Sequence, residues 1–224
     1  MHKKSLYILI SFICSHLAAQ DIYKLHNHTN FRKSDTFKET IEPEVFDAAL
    51  LNACIFFATN EIRAKKRLPI LAYHKALEDA SEMHSQDMVN DNFFNHINHF
   101  NTARKTPDDR ARIAGINNPY IAENIIEGFV IKFNKKVEFY VGDNGEFIDP
   151  KTGKPFEYHT YLSLSDKLLS DWMDSEGHRK NILSENGKQL GCGAVFYINP
   201  QHAVPSVMVT QSFQWFEEIQ SENE

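Results

Sequence analysis

The chain predicts an α+β domain in which helices cover an antiparallel sheet. Three observations carry that prediction. Two long segments repeat their apolar residues with helical spacing, at Pro43–Arg67 and His74–Asn92. Two late segments, Leu190–Ile198 and Val207–Trp215, alternate with the period of a strand. The order is helices, then strands, then a helix, then strands, which is not the regular alternation of a parallel α/β fold.

Taken in order, Met1–Ala19 reads as an export signal. Lys3 and Lys4 form its charged start, Leu6 to Cys14 its apolar centre, and Ala18-Ala19 a small-residue cleavage site. The apolar run is too short for a membrane span. The predicted location is therefore secreted or periplasmic. Residues 20–42 are polar, with little periodicity, and read as a flexible lead-in. The folded domain is assigned to 43–218 and an acidic tail to 219–224.

Pro43 opens the first helix. Phe46, Leu50, Cys54, Phe57 and Ile62 form its stripe, cations crowd its last turn, and Leu68-Pro69 ends it. In the second helix Leu77, Ala80, His84 and Met88 share a face. Residues 95–120 read as loop, with a helical piece from Pro107 to Ala114 closed by Gly115. Residues 125–148 read as strands, with Val137, Phe139 and Val141 alternating. Asp143-Asn144-Gly145 and Asp149 to Gly153 are turns. Leu164, Leu168 and Trp172 mark a third helix, capped by Ser163 or Ser165.

The net charge of the 224 residues is −6, and the predicted signal removes two of the cations. That argues against nucleic acid as a partner. Cys54 and Cys192 remain after Cys14 leaves with the signal, and they read either as one disulfide or as two buried thiols.

Eleven histidines invite a search for a metal or catalytic site. No His-Glu-x-x-His helix, no Gly-x-Ser-x-Gly elbow and no phosphate loop is present. Neither cysteine neighbours a histidine. His84 lies on an apolar helical face and reads as a core histidine with a backbone partner. His26 and His28, in the lead-in, read as solvated. His96 and His99 have metal-compatible spacing, which two histidines alone leave weak.

The remaining constellation is His96, Glu123 and His178, each at the end of an apolar element. Two imidazoles and a carboxylate suit Zn²⁺. They equally suit a charged hydrogen-bond network without metal.

Several segments in fixed order carry a resemblance. They are Asn60 to Arg63 with Leu68 to Leu71, His84-Ser85 with Asp87-Met88, Phe93 to His96, Ile121 to Ile125, Trp172 to Leu183, and Leu190 to Gly193. Together they resemble the CAP superfamily (cysteine-rich secretory proteins, antigen 5 and pathogenesis-related proteins), and most of all its compact secreted bacterial branch. The match spans about residues 46–216.

The resemblance implies a three-layer α-β-α sandwich with a central antiparallel sheet. It also implies a histidine–glutamate tetrad in a cleft, which holds zinc or another divalent ion in some members. His96, Glu123 and His178 match three tetrad positions. Ser175 stands at the fourth, beside Asp174 and Glu176, so Glu176 is the carboxylate left to complete the site. The Gly128–Ser163 stretch is longer than the branch implies and is expected to rim or cover the cleft.

The first functional expectation is a binding module. It would take a lipid, a cell-envelope glycan or an extracellular protein, with a divalent metal on His96, His178 and Glu123 as an added feature. The second is a metal-assisted hydrolase or protease, with Glu123 as base or third ligand. A purely structural strut is the third.

Overall fold

A computed structural model describes residues 22–133, 138–143, 145–201 and 203–220. The predicted signal at 1–19 and Val137 lie outside the described residues. So do Asn144 of the first turn and the last four residues of the tail.

The central sheet has four strands in the order β1-β6-β7-β2. These are β1 (Ala72–Tyr73), β2 (Ile121–Phe129), β6 (Gly187–Ile198) and β7 (Pro205–Trp215). The pairs β6–β7 and β7–β2 are antiparallel, as predicted. The short β1 instead pairs parallel with β6, because the chain reaches it from a helix rather than from a hairpin.

Helices cover both faces. On one side lies α2 (Lys75–Asn90), and on the other α1 (Ala48–Lys65) and α4 (Tyr161–Asp174). The arrangement is the three-layer α-β-α sandwich.

Strand alternation assigns the two faces. Leu190, Cys192, Ala194, Val207, Val209 and Phe213 point into the main core with Phe57, Leu168 and Trp172. Their neighbours Gly191 and Gly193 face α2 and carry it at backbone distance. A Cβ on Gly191 would sit 2.1 Å from the Glu78 nitrogen, and one on Gly193 2.0 Å from that of Glu82. No side chain fits there. The contact is sealed by hydroxyls: Ser81 Oγ donates to the Gly191 carbonyl at 3.2 Å, and Ser85 Oγ to that of Gly193 at 2.8 Å.

Some expectations change. Residues 22–42 are not a flexible lead-in: Phe31, Phe37 and Ile41 are fully buried. Irregularly spaced aromatics leave no periodic signal, yet Phe31 and Phe37 pack against Phe57 of α1. His26 is half-buried, its ring edge-on to Phe37. Pro43–Val45 forms only a 3-10 turn, and α1 starts at Ala48 because the Asp47 side chain accepts from the Leu50 nitrogen. Thr160, not Ser163 or Ser165, caps α4, and Ser163 completes the capping box three residues on. Cys54 and Cys192 are free, buried thiols. Burial pushes the Cys54 thiol up to about 12, so it is protonated and unreactive. The tail is docked as far as Gln220, through Ile219 and Gln220 backbone donors to Gln189 and Asn118.

The long stretch before α4 builds a separate three-stranded sheet, β3 (Tyr140–Val141), β4 (Phe147–Asp149) and β5 (Lys154–Pro155). It leaves from Phe129, six residues beyond Glu123 on β2. Its described residues make no hydrogen bond or ion pair with His96, Glu123 or His178. No helix among the described residues is long and apolar enough to cross a membrane.

Candidate functional site

Glu123 is the centre of the site. It lies on β2, an edge strand, paired with Ser212 of β7 and therefore on the α2 face. Its side chain is 3 % exposed, and three groups surround it. His96 Nδ1 is 2.8 Å from Oε1. Arg110 Nη2 is 2.7 Å from Oε2. His84 Nε2 is 3.7 Å from Oε1.

Each partner is held by local chemistry. Arg110 sits on α3 (Pro107–Ile113), which begins with Pro107 and a Thr106–Asp109 capping box. Asp108 fastens that helix to β2 by accepting from the Ile121 nitrogen at 3.0 Å. The Arg110 guanidinium also donates to the carbonyls of His96 and Arg104, at 3.1 and 3.0 Å. It thereby fixes the loop that carries His96. Asn98 ties the same loop to α2 through Asp87, which Arg104 also pairs.

His84 is fully buried and donates from Nε2 to the Asn95 carbonyl at 3.0 Å. That is the backbone partner expected of a core histidine, but the ring also borders Glu123. Its Nδ1 has no partner among the described residues.

These contacts fix protonation. A carboxylate only accepts, so His96 must donate from Nδ1, and in the neutral ring Nε2 carries the lone pair. The His96 side chain is 47 % exposed, so Nε2 is within reach of a ligand. Burial pushes the Glu123 carboxyl up. The His96 hydrogen bond and the Arg110 charge outweigh it and hold the group ionised, below the usual carboxylate range. Burial lowers His84 to about 4, keeping it neutral.

His178 lies on α5 (Glu176–Ile182), which packs along the open edge of β2. Asn181 Nδ2 donates to the Glu123 carbonyl at 3.1 Å, and Trp172 Nε1 to the Ile125 carbonyl at 3.2 Å. Those two carbonyls, two residues apart, face outward from the edge strand and would otherwise be orphaned. Asn124 in turn donates to the His178 carbonyl at 3.3 Å. The Trp172–Leu183 segment therefore closes the sheet edge and holds the helix that carries His178 against β2. Burial lowers the His178 pKa, and the charge of His96 lowers it further.

The tertiary structure thus brings His96 and Glu123 into contact, whereas His178 is tied to β2 through its backbone carbonyl and makes no side-chain hydrogen bond or ion pair with either among the described residues. Glu176 does not join them: it is exposed in the first turn of α5, with no ion pair to the trio. Ser175 separates α4 from α5 and makes no side-chain cap. His99 is exposed and takes no part.

Arg110, the decisive partner of Glu123, was not singled out in the sequence. Its only local signal is the capping box before it, which turns Arg110 and Ala111 inward. As ligands for a divalent ion, His96 and His178 offer imidazoles. Glu123 does not fit as a third donor, because both its oxygens are engaged and Arg110 stands against it. Among the described residues no group of three His, Cys, Asp or Glu is placed to hold a metal.

Among known proteins, an uncharacterized protein of Bacillus subtilis (strain 168), YkwD, is 28 % identical over 137 residues, 61 % of this chain and 39 % of that protein. The chain thus spans about two fifths of that relative's length. An extracellular protein of Bacillus anthracis that contains an SCP domain aligns structurally with a TM-score of 0.49 and 26 % identity, covering 75 % of this chain and 41 % of its own. An outer surface protein of Borrelia burgdorferi aligns at 0.45 and 13 % identity, covering 72 % of this chain and 90 % of its own. The model of the cysteine-rich secretory protein family (CAP) matches residues 56–213, most of the chain, and the protein belongs to that family.

Proposed function

We propose that the protein is an extracytoplasmic binding module whose cleft is read out by His96, with His178 beside it and Glu123 behind. One observation carries this reading. The buried Glu123 carboxylate is spent on Arg110 and His96, at 2.7 and 2.8 Å, so it is an anchor rather than a base. A general base needs a free lone pair within reach of the proton it takes. Here the carboxylate instead orients a half-exposed imidazole by its Nδ1 and leaves Nε2 as the acceptor, an arrangement suited to accepting a hydrogen bond from a ligand.

The export signal read at 1–19 supports a location outside the cytoplasm, as do relatives described as extracellular or surface proteins. The occupant classes remain a lipid, an envelope glycan or an extracellular protein. A divalent ion is a secondary occupant in this reading. His96 and His178 would hold it, and Glu123 would orient His96 from behind, as carboxylates do for ligating histidines. The ion would supply a Lewis-acid contact to an oxygen of the ligand.

The test follows the imidazole signals of His96 and His178 by NMR while phospholipid vesicles or solubilised cell-envelope glycans are added. A shift of His96 with one of them, abolished by Arg110→Met, is the expected result. No shift with either, together with turnover of peptide or ester substrates on adding Zn²⁺, would overturn the proposal in favour of the hydrolase reading. Calorimetric zinc titration of wild type and of the His96→Ala/His178→Ala double variant tests the metal separately.

A further inference from the structure

Glu127 lies on the same side of β2 as Glu123 by strand alternation, but it borders a separate space. The buried cluster of Met88, Ile125 and Met208 closes the face between them. Beyond that cluster a pocket of about 180 Å³ opens, and none of His96, Glu123 and His178 lines it. Met88 and Met208 form its floor, with Phe93 and Tyr197 packed against them. Two turns shape it. Asn92, at φ 50°, follows α2 in the left-handed conformation that asparagine tolerates, and the Phe93 N–H donates back to the Met88 carbonyl at 3.1 Å. The connection from β6 to β7 brings in Asn199, whose N–H donates to the Val204 carbonyl at 3.0 Å.

The charge of this pocket is unbalanced. The Tyr197 hydroxyl and the Asn199 amide both donate to Oε1 of Glu127. Oε2 accepts no hydrogen bond among the described residues, and Glu127 has no ion pair among them. The described lining residues include no Lys, Arg or His. The buried carboxylates of this protein are paired: Glu123 with Arg110 at 2.7 Å, Asp87 with Arg104 at 2.9 Å and Glu78 with Lys75 at 3.8 Å. Half-buried Glu127 is held in place by two donors that do not neutralise it.

That imbalance selects the ligand. A neutral sugar or an acyl chain would cover the carboxylate and leave its charge uncompensated. A divalent cation demands several oxygen ligands, which methionine and phenylalanine do not supply. A primary ammonium or a guanidinium brings N–H groups that each need an acceptor. Besides Glu127, the buried side-chain acceptor of the lining is Asn199 Oδ1, which already takes the Gln201 N–H at 2.8 Å. A methylated ammonium carries the charge with no N–H to satisfy. Aromatic rings and polarisable thioethers suit its methyl groups. The volume agrees. Pockets that enclose a drug-sized molecule run from about 300 Å³ upward, so 180 Å³ takes a head group.

We propose that the Glu127 pocket binds a methylated ammonium group, as carried by choline, either free or in a lipid head group. Glu127 supplies the counter-charge, the Phe93 and Tyr197 rings the walls, and Met88 and Met208 the floor. The site is separate from the His96 cleft, and neither reading depends on the other.

The experiment is titration calorimetry on the full chain with choline, with methylammonium, and with the uncharged carbon analogue of choline, in which a tert-butyl group replaces the trimethylammonium. Choline binds saturably, and the analogue binds about tenfold more weakly or less. Glu127→Gln keeps the shape of the side chain and weakens choline by about tenfold or more, while binding of the analogue is unchanged. Unchanged thermal unfolding shows that this variant is folded, and the comparison of choline with its analogue on the wild type needs no variant. Phosphatidylcholine and phosphatidylglycerol vesicles separate the sources. Retention on the first alone, lost in Glu127→Gln, supports the site with a lipid head group as its occupant. Choline binding without retention supports it with a soluble one. Failure of both choline and phosphatidylcholine vesicles overturns the inference. So does equal binding of choline and its analogue, tighter binding of methylammonium than of choline, or choline binding unchanged in folded Glu127→Gln. His96→Ala should leave choline binding as it is; a loss would move the cation to the His96 cleft and overturn the assignment.

Discussion

The two faces of the central sheet are built on different principles. Toward α1 and α4 the strands present Leu190, Cys192, Val207, Val209 and Phe213, which fill a conventional apolar core. Toward α2 they present Gly191, Gly193, Thr210, Ser212 and Glu123, with Ser81, Ser85 and His84 opposite. The first face gains stability from buried area, which is non-directional and tolerant of shape. The second buries smaller apolar clusters, Leu77 with Ala111 and Ile116, and Met88 with Ile125 and Met208. Between them it holds backbone against backbone, with hydroxyl hydrogen bonds and the buried Arg110–Glu123 ion pair. A site that orients an imidazole needs the second kind of face, and the first kind provides the stability that supports it.

The sharpest way to break the comparison is at the glycines. Gly191→Ala with Gly193→Ala should abolish folding, because each Cβ meets main chain that cannot yield. Gly177→Ala, on α5 with nothing within 4 Å, should leave unfolding by urea nearly unchanged. A folded double variant would refute the close-approach account.

Arg110→Met comes next. It strands a buried carboxylate, with an expected loss of about 3–5 kcal/mol in denaturant unfolding. Adding Glu123→Gln should recover more than half of that loss, since the charge is gone. Leu190→Ala on the other face should cost a similar amount, about 2–5 kcal/mol, through its cavity. It should leave the His96 ring signals in place, whereas Arg110→Met should move them. If both variants move His96 alike, the division of labour between the faces is wrong.

The pH dependence separates the faces further. His84 is lowered from its ordinary value of 6.5 to about 4, so the folded protein keeps it neutral while the unfolded chain takes a proton. Its contribution is complete above pH 6.5 and is lost as pH falls toward 4, on the order of 3 kcal/mol in all. The low pKa of Glu123 acts in the same direction at more acid pH. Urea unfolding across pH 4–6.5 should show this slope, and His84→Gln should flatten it. His159, also lowered to about 4, contributes to the slope that is left, together with His74 and His178, which burial also lowers.

The smallest effect is expected at the sheet edge. Asn181→Ala removes the donor to the Glu123 carbonyl and should cost about 1 kcal/mol. Because α5 then loosens, the His178 signals should shift more than those of His84. An equal shift in both would mean that α5 is positioned by other contacts.

Much of this was legible in the sequence. The stripes of α1 and α2 and the alternation of β6 and β7 are local periodicities, and the α3 segment was bracketed by Pro107 and Gly115. His96, Glu123 and His178 were named together, through the motifs that resemble the family. Arg110 was not, because a lone arginine in a polar stretch looks solvated until β2 is laid beside it. Nor was the docking of residues 22–42, since Phe31, Phe37 and Ile41 follow no period. Glu176 looked like a substitute tetrad carboxylate from its place in the chain, and the geometry of α5 turns it to solvent.

By itself, then, the sequence determined the helices and the main strands, because propensity, capping and periodicity act over a few residues. Only the tertiary structure decided which side of the sheet each strand residue serves, which cation neutralises Glu123, and which face carries the site. Those outcomes depend on groups separated in the chain and brought together by packing: Arg110 to 2.7 Å from Glu123, and Asn181 to 3.1 Å from the Glu123 carbonyl. The motif from Trp172 to Leu183 belongs to both accounts. Its residues are adjacent in sequence, yet they act by closing an edge strand some fifty residues upstream.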